Sequence, residues 1–473
     1  MKKNGLFAGV MIVSAGKFIL MAVNFLTIVI LARLLVPRDF GVVAMSSVFL
    51  NVSNVLIDSG MAGSLVYQKD VEDIDKNTLF WFNIFVSVVL YVILFFSAPV
   101  IASFYGVPIL NTIIKIIGLS IVIHSTCFVQ NALLMKDLRY RDQTLITILS
   151  AIASMIVAVA MAYAGFGVWS LIAQTLSSNI VQVFLLFMFV RFIPHVDFSF
   201  KTLKKHWDFG SKLLGSSLLN IVYTNMYVQI IGKTVNVHTA GFYQQARKLN
   251  EFPRNLIQYP MDKVFFPYLV KSSDLRKDCS SIFKKTVLLV IPVLVCLSLE
   301  AENIVKIVLG DKWMDASWMA SLMFLGTIGA SLESVNRSFI KASGNTGAIL
   351  KNDLLKRAIN IVVLLISLRW GVKGILVAFI VNGFIGWIMN SLVLCKIIGG
   401  TVSSQIGYVG LLFIVSATSS AFVMKFMPEY SSCSLTVFVH MVSFLGVCFL
   451  LLFPFFKKDF ICVAEKIFRK VKR

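Results

Sequence analysis

Between residues 243 and 262 the chain reads YQQARKLNEFPRNLIQYPMD. Tyr243, Arg247, Glu251, Arg254, Gln258 and Asp262 follow one another at steps of 4, 4, 3, 4 and 4. On a helix that spacing puts all six on one stripe. Lys248 sits beside it, so Arg247, Lys248 and Arg254 leave net positive charge after Glu251 pairs with a neighbouring arginine. The stripe holds no nucleophile with a base, and its chemistry is that of binding. Arginine presents a planar fork of donors that matches phosphate, and the tyrosine and glutamine offer hydrogen bonds to hydroxyl-rich ligands.

The surroundings of this stripe are apolar. The chain has 473 residues, of which 58% are hydrophobic and 14% charged, with a mean hydropathy of +0.85. Soluble domains carry about a quarter charged residues. Roughly fourteen windows are long and apolar enough to cross a bilayer, which takes about 20 residues each. The seventh lies near 210–232 and the eighth, near 239–268, contains the stripe. The first begins after Lys2 and Lys3 and is too long for the apolar core of a signal peptide, so it reads as a retained helix. The expected class is an all-α polytopic membrane protein.

Charge settles the expected orientation. The formal net charge is +21, and most basic residues fall in alternate connecting segments, including 136–141, 191–212, 271–285, 341–357 and the tail from Lys457. Positive residues collect in cytoplasmic loops, so both termini are expected inside and nucleic acid is not the partner. The seven cysteines are scattered without a CxxC pair, which argues for neither a disulfide framework nor a metal site. The connections are short. The longest expected outside loop, about Glu302 to Asp315, has no paired-carboxylate motif, and no phosphate-binding glycine loop occurs. A membrane polymerase or glycosyltransferase would need such features.

The chain also repeats itself. FGVVAM (Phe40–Met45) matches AGFYQQ (Ala240–Gln245) 200 positions on, placing Gly41 over Gly241. NALLMK (Asn131–Lys136) and GFGVWSL (Gly165–Leu171) match NRSFIK (Asn336–Lys341) and RWGVKGI (Arg369–Ile375) at nearly the same offset. An offset of six helices keeps both copies pointing the same way, a parallel repeat about the membrane normal. The expected organisation is two six-helix lobes, 1–200 and 201–400, with two further helices and a basic tail in 401–473. The polar segment Arg191–Lys212 between the lobes reads as an amphipathic linker on the inner surface.

Magnitude then constrains the stripe. One charge at the bilayer centre costs about 2.5–3.5 kcal/mol on the lenient insertion scale. Several facing lipid would cost on the order of 10 kcal/mol, so they face water or protein. Two readings stay open: a spanning helix lining a cavity between lobes, or a re-entrant or surface-lying amphipathic helix. Other polar groups lie within spans. Lys17 is mid-way along the first. Asn51, Asn54 and Asp58 share a face of the second, Asn220, Asn225 and Gln229 lie in the seventh, and Glu333, Asn336 and Arg337 in the tenth. The amides equally suit helix-to-helix bonding; Lys17 is a functional candidate because an intramembrane cation is costly.

Three stretches carry a family resemblance: LLVPRDFGVVAM (Leu34–Met45), LIDSGMAGSLVYQKD (Leu56–Asp70) and AGFYQQARKLNEFPRNL (Ala240–Leu256). They resemble the polysaccharide transporter branch of the multidrug/oligosaccharidyl-lipid/polysaccharide (MOP) exporter superfamily, the Wzx-type flippases of O-antigen, capsule and exopolysaccharide synthesis. The resemblance extends over the whole chain. It implies a V-shaped transporter of the bacterial cytoplasmic membrane. Alternating access would move undecaprenyl-pyrophosphate-linked oligosaccharide from the inner to the outer leaflet. Polysaccharide polymerase and glycosyltransferases would be its partner enzymes and membrane lipids its surroundings. It also implies a cationic cavity, matched here by Arg247, Lys248, Arg254 and Lys17, with Tyr243, Glu251 and Gln258 alongside. No cofactor is implied beyond proton or sodium coupling, for which Asp58 and Glu333 are the candidates. A lipid II flippase and a cation-exporting relative share the architecture; cationic cargo would call for an acidic cavity instead.

Overall fold

A computed structural model describes residues 3–58, 60–68, 70–261, 265–270, 272–399, 401–427 and 433–471. The described residues are almost entirely helical, and the chain forms two compact units, Met1–Gln244 and Gln245–Arg473.

Unit 1 contains α1 (Lys3–Leu34), α2 (Pro37–Asp58), α3 (Met61–Tyr67), α4 (Asp73–Tyr105), α5 (Ile109–Ser125), α6 (Cys127–Lys136), α7 (Tyr140–Tyr163), α8 (Val168–Val190), α9 (Phe200–Thr234) and the start of α10 (Val237–Pro260). The sequence marks most of these boundaries. Pro37 occupies the first position of α2, where its missing N–H has no partner to lose. Gly60, at φ 71°, makes the left-handed turn that separates α2 from α3. Glu72 and Asp75 form a capping box at the start of α4,. Asn236 caps α10, its Oδ1 accepting from the Thr239 N–H at 2.7 Å.

Unit 2 contains the rest of α10, then α11 (Phe266–Val270), α12 (Leu275–Leu299), α13 (Ala301–Val308), α14 (Ser317–Ala342), α15 (Thr346–Ser367), α16 (Gly371–Ile398), α17 (Val402–Phe426) and α18 (Cys433–Val471). Its tightest pairing is between α14 and α16.

Eleven described stretches are long and apolar enough to cross a membrane. One of them, Gly347–Ile398, holds both α15 and α16. Neither α9 nor α10 is among the eleven, although they run to 35 and 24 residues. Their polar side chains lower the mean. At 1.5 Å per residue α10 still extends about 36 Å, enough to span.

Two expectations change. The segment 191–212, expected as one amphipathic linker on the inner surface, is divided in two. Its first part is extended and bonded down onto α4, with His195 N–H donating to Asn77 Oδ1 and Trp81 Nε1 to His195 O. From Phe200, capped by Ser199, it continues as one helix through Thr234, because no proline interrupts it. The expected outside loop, 302–315, is largely helical: α13 and a 3-10 turn at Asp311–Ala316, pinned by a fully buried Trp313.

The starts of α2 and α10, both in unit 1, cross backbone to backbone. A Cβ at Gly41 would stand 2.0 Å from the carbonyl oxygen of Val237, and one at Gly241 would stand 2.0 Å from that of Pro37. Val237 and Gly241 each lie 200 positions after Pro37 and Gly41. Residue i of one helix meets j of the other, and j meets i, which is the reciprocal pattern of a two-fold contact.

Candidate functional site

The cationic stripe lies on α10. In unit 2, Ala246, Leu249, Asn250 and Pro253 are buried, at the i, i+3, i+4, i+7 spacing of one helix face,. Asn250 fixes that face, its Oδ1 accepting from Thr327 Oγ1 of α14 at 2.8 Å. The charged residues occupy the adjoining face. Arg247 is half-buried, with Nε 3.5 Å from Glu251 Oε1. Lys248 and Gln258 are half-buried, and Glu251 and Arg254 are exposed. Tyr243, in unit 1, is buried. Asp262 and Lys263 lie outside the described residues. The stripe is therefore a partly exposed, net-positive face that adjoins the packed face of the helix.

The other expected residues are dispersed. Lys17 is exposed on α1, next to Gly16, where a Cβ would run into Thr144 of α7. Asp58 closes α2, and its Oδ1 accepts from the Ala62 N–H at 3.3 Å, so it caps α3. Asn51 and Asn225 join α2 to α9 at 3.4 Å, and Gln229 donates to Met45 O at 2.8 Å. These amides bond helix to helix.

Glu333 has a partner that the sequence reading missed. It is buried in α14, with Lys356 Nζ of α15 2.5 Å from its carboxylate. A turn further along, Arg337 Nη2 meets Asp353 Oδ2 at 2.7 Å. The two pairs run in antiparallel register on either side of the turn at Gly344. Complementary charges at matching distances from that turn were the available signal. Gly386 of α16 leaves the space, since a Cβ there would be 2.3 Å from Glu333 Oε2. Asn336 belongs to a separate cluster, donating to Ser391 Oγ at 2.8 Å and Gln405 Oε1 at 3.1 Å.

A second missed group lies in unit 1. His206 of α9 is fully buried, its Nδ1 2.8 Å from Ser64 Oγ and its Nε2 3.1 Å from Asp75 Oδ1. Burial pushes the imidazole pKa down, and the Asp75 carboxylate opposes the shift. The order Ser–His–Asp is that of a hydrolytic triad, but all three side chains are closed off from solvent. The row ties α3, α4 and α9 together.

The sequence profile of the polysaccharide biosynthesis protein family matches residues 30–318. The chain belongs to this family. It is 26% identical to the succinoglycan biosynthesis transport protein ExoT of Rhizobium meliloti over 306 residues, 64% of this chain and 62% of that one. It is 24% identical to the lipopolysaccharide biosynthesis protein WzxC of Escherichia coli over 396 residues, 82% of this chain and 80% of that one. The chain therefore spans less than two thirds of the first relative and more of the second. Among solved structures, the lipid II flippase MurJ superposes with a TM-score of 0.75 at 16% identity, covering 95% of this chain and all of that one. A multidrug resistance MATE transporter of the MOP superfamily gives 0.59 at 12% identity, over 80% of this chain and 95% of that one. The fold of this multi-pass membrane protein is that of the MOP exporters.

Proposed function

We propose that the protein is a lipid-linked oligosaccharide flippase of the bacterial cytoplasmic membrane, with both termini inside. It carries undecaprenyl-pyrophosphate-linked glycan from the inner to the outer leaflet by alternating access. Arg247, Lys248 and Arg254 hold the pyrophosphate, with Lys17 as a further cation; Tyr243, Glu251 and Gln258 meet the sugars or orient the arginines. The observation that carries the reading is the partly exposed cationic face of α10, which adjoins a packed one, in a helix long enough to span. Its occurrence in a polysaccharide biosynthesis family supports an anionic glycolipid over the cationic cargo of an acidic cavity. Lipid II shares the same pyrophosphate chemistry, and the relatives' names, succinoglycan and lipopolysaccharide biosynthesis, favour the surface glycan.

The energetics fit. The prenyl tail stays in lipid while the head group takes the polar route. Two negative charges moving outward run down the membrane potential, worth about 2.3 kcal/mol per charge at 100 mV. Proton or sodium coupling adds to this drive. Of the two acidic candidates Asp58 suits it better, because Lys356 already neutralises Glu333.

The test replaces Arg247 and Arg254 separately by Ala and by Lys in a strain lacking the native gene. Membrane protein level, surface glycan and lipid-linked intermediate are followed. The expected result is a normal level, surface glycan reduced at least tenfold in the Ala variants, and intermediate retained on the inner leaflet, with partial recovery by Lys. Undiminished surface glycan in both Ala variants would remove the stripe from the binding site.

A further inference from the structure

A cavity of about 480 Å³ opens within unit 2, at the end where α12 and α17 begin and α14 and α16 finish. Pockets that hold small ligands start from about 300 Å³. Its wall carries two cations, Arg276 and Lys284, and no aspartate or glutamate. Its floor is apolar, with Phe283 and Phe339 buried and Leu411 beside them.

The cavity is built to accept an anion. Among the described residues neither cation has an acidic partner within 4.0 Å. The two acids of the same stretch are engaged elsewhere. Asp274 caps α12 through the Lys277 N–H at 3.1 Å, and Asp278 accepts from Ser272 Oγ at 2.7 Å. The polar group on the inner wall is Gln405. Its Oε1 accepts from Asn336, Ser391 and Trp387 at 3.1, 2.8 and 3.3 Å. With that oxygen filled, what Gln405 offers a ligand is its NH2. The wall is also held in place, since Tyr408 of α17 donates to the Lys284 carbonyl of α12 at 3.1 Å.

Donors at the rim above an apolar floor are the two halves of an amphiphile's requirement. We propose that this cavity binds an anionic phospholipid of the membrane. Arg276 and Lys284 take the phosphodiester head group, and the Phe283, Phe339 and Leu411 floor takes the upper part of an acyl chain. Basic pockets between spanning helices are a known setting for such head groups. With the orientation proposed above, this end lies at the inner leaflet. The site is confined to unit 2 and separate from the stripe on α10, so it stands or falls independently of glycan transport.

Phosphatidylglycerol titrated into the detergent-solubilised full chain, followed by native mass spectrometry, tests this. The variants are R276Q/K284Q and, as a control, K285Q, an exposed lysine that does not line the cavity. The replaced side chains are exposed, and an unchanged melting temperature verifies the fold. The expected result is one adduct that fills first and weakens about 30-fold in the double variant, from about 1 kcal/mol per cation. K285Q should bind as the wild type does. Equal weakening in K285Q would reduce the effect to general surface attraction and overturn the site. An unaffected double variant would overturn it as well. Displacement of the adduct by millimolar inorganic phosphate would show a free-anion site in place of a lipid one.

Discussion

Alanine at Gly41 or Gly241 should destabilise unit 1, although alanine is the better helix former. Each added Cβ would begin 2.0 Å from a backbone carbonyl oxygen, and real Cβ atoms essentially never approach closer than 3.0 Å. The helices must part by about 1 Å merely to reach that limit, and a backbone carbonyl has no rotamer with which to move aside. Overpacking of this kind costs about 1–3 kcal/mol, and a rigid neighbour puts it at the upper end. Helix propensity returns about 1 kcal/mol. The net loss is about 2 kcal/mol per substitution. If the 244 residues of unit 1 melt cooperatively, that lowers Tm by about 4–8 °C. The double variant should lose less than the sum, because the first alanine has already opened the crossing that the second would strain. The controls are Gly215 and Gly410, helical glycines with nothing within 4 Å of a Cβ. Alanine there should leave Tm unchanged or raise it slightly. Thermal unfolding of detergent-solubilised protein, read by monodisperse peak height after heating, gives all five variants on one scale. Should G41A and G241A melt with G410A, the close crossing of α2 and α10 is wrong, and with it the reciprocal contact.

Two further outcomes follow from the buried ionisable groups. K356M should cost about 2–3 kcal/mol, because it leaves Glu333 buried without its partner, whereas E333Q/K356M should recover most of that loss; a double variant as unstable as the sum of the singles would show that the pair is not coupled. His206 sits ahead of the span at 210–232, with Asp75 and Lys205 as the charged groups facing it. Its folded pKa is lowered, so below the ordinary histidine value near 6.5 the unfolded chain takes up the proton first, and stability falls with pH. Wild type should therefore lose Tm between pH 7 and pH 5 more steeply than H206Q; parallel profiles would assign the pH dependence to other groups.

The fold class was legible because hydropathy in lipid is a strong signal: every backbone group must be bonded within its own helix, so apolar runs of sufficient length leave little choice. The helix α10 was legible for a different reason. Its charges fall at helical spacing, and the buried set Ala246, Leu249, Asn250 and Pro253 occupies the complementary positions. What composition concealed was partnership. Glu333 and Lys356 were read apart, one as an intramembrane acid and the other as a loop cation, because hydropathy windows treat each helix alone. His206 was hidden similarly. It stands in the basic run KTLKKHWDF, which reads as a solvated surface, yet its ring is enclosed by residues 131 and 142 positions away.

That contrast bears on which charges do the binding. A charge inside a membrane protein needs either a protein partner or water, and the structure sorts the candidates accordingly. Glu333, Lys356, Arg337 and Asp353 neutralise one another between α14 and α15, so an incoming phosphate would have to break a pair to use either cation. Arg254 is exposed on α10 and has no acidic partner within 4.0 Å among the described residues, and the Arg247 Nε lies 3.5 Å from Glu251 Oε1, longer than a formed charge-assisted hydrogen bond of about 2.7–2.9 Å. The same comparison ranks the functional variants: K356M should be read first in stability, R247A first in surface glycan at unchanged protein level. If R247A instead lowers the level of folded protein while K356M leaves it intact and blocks glycan export, the roles of the two cation sets are reversed.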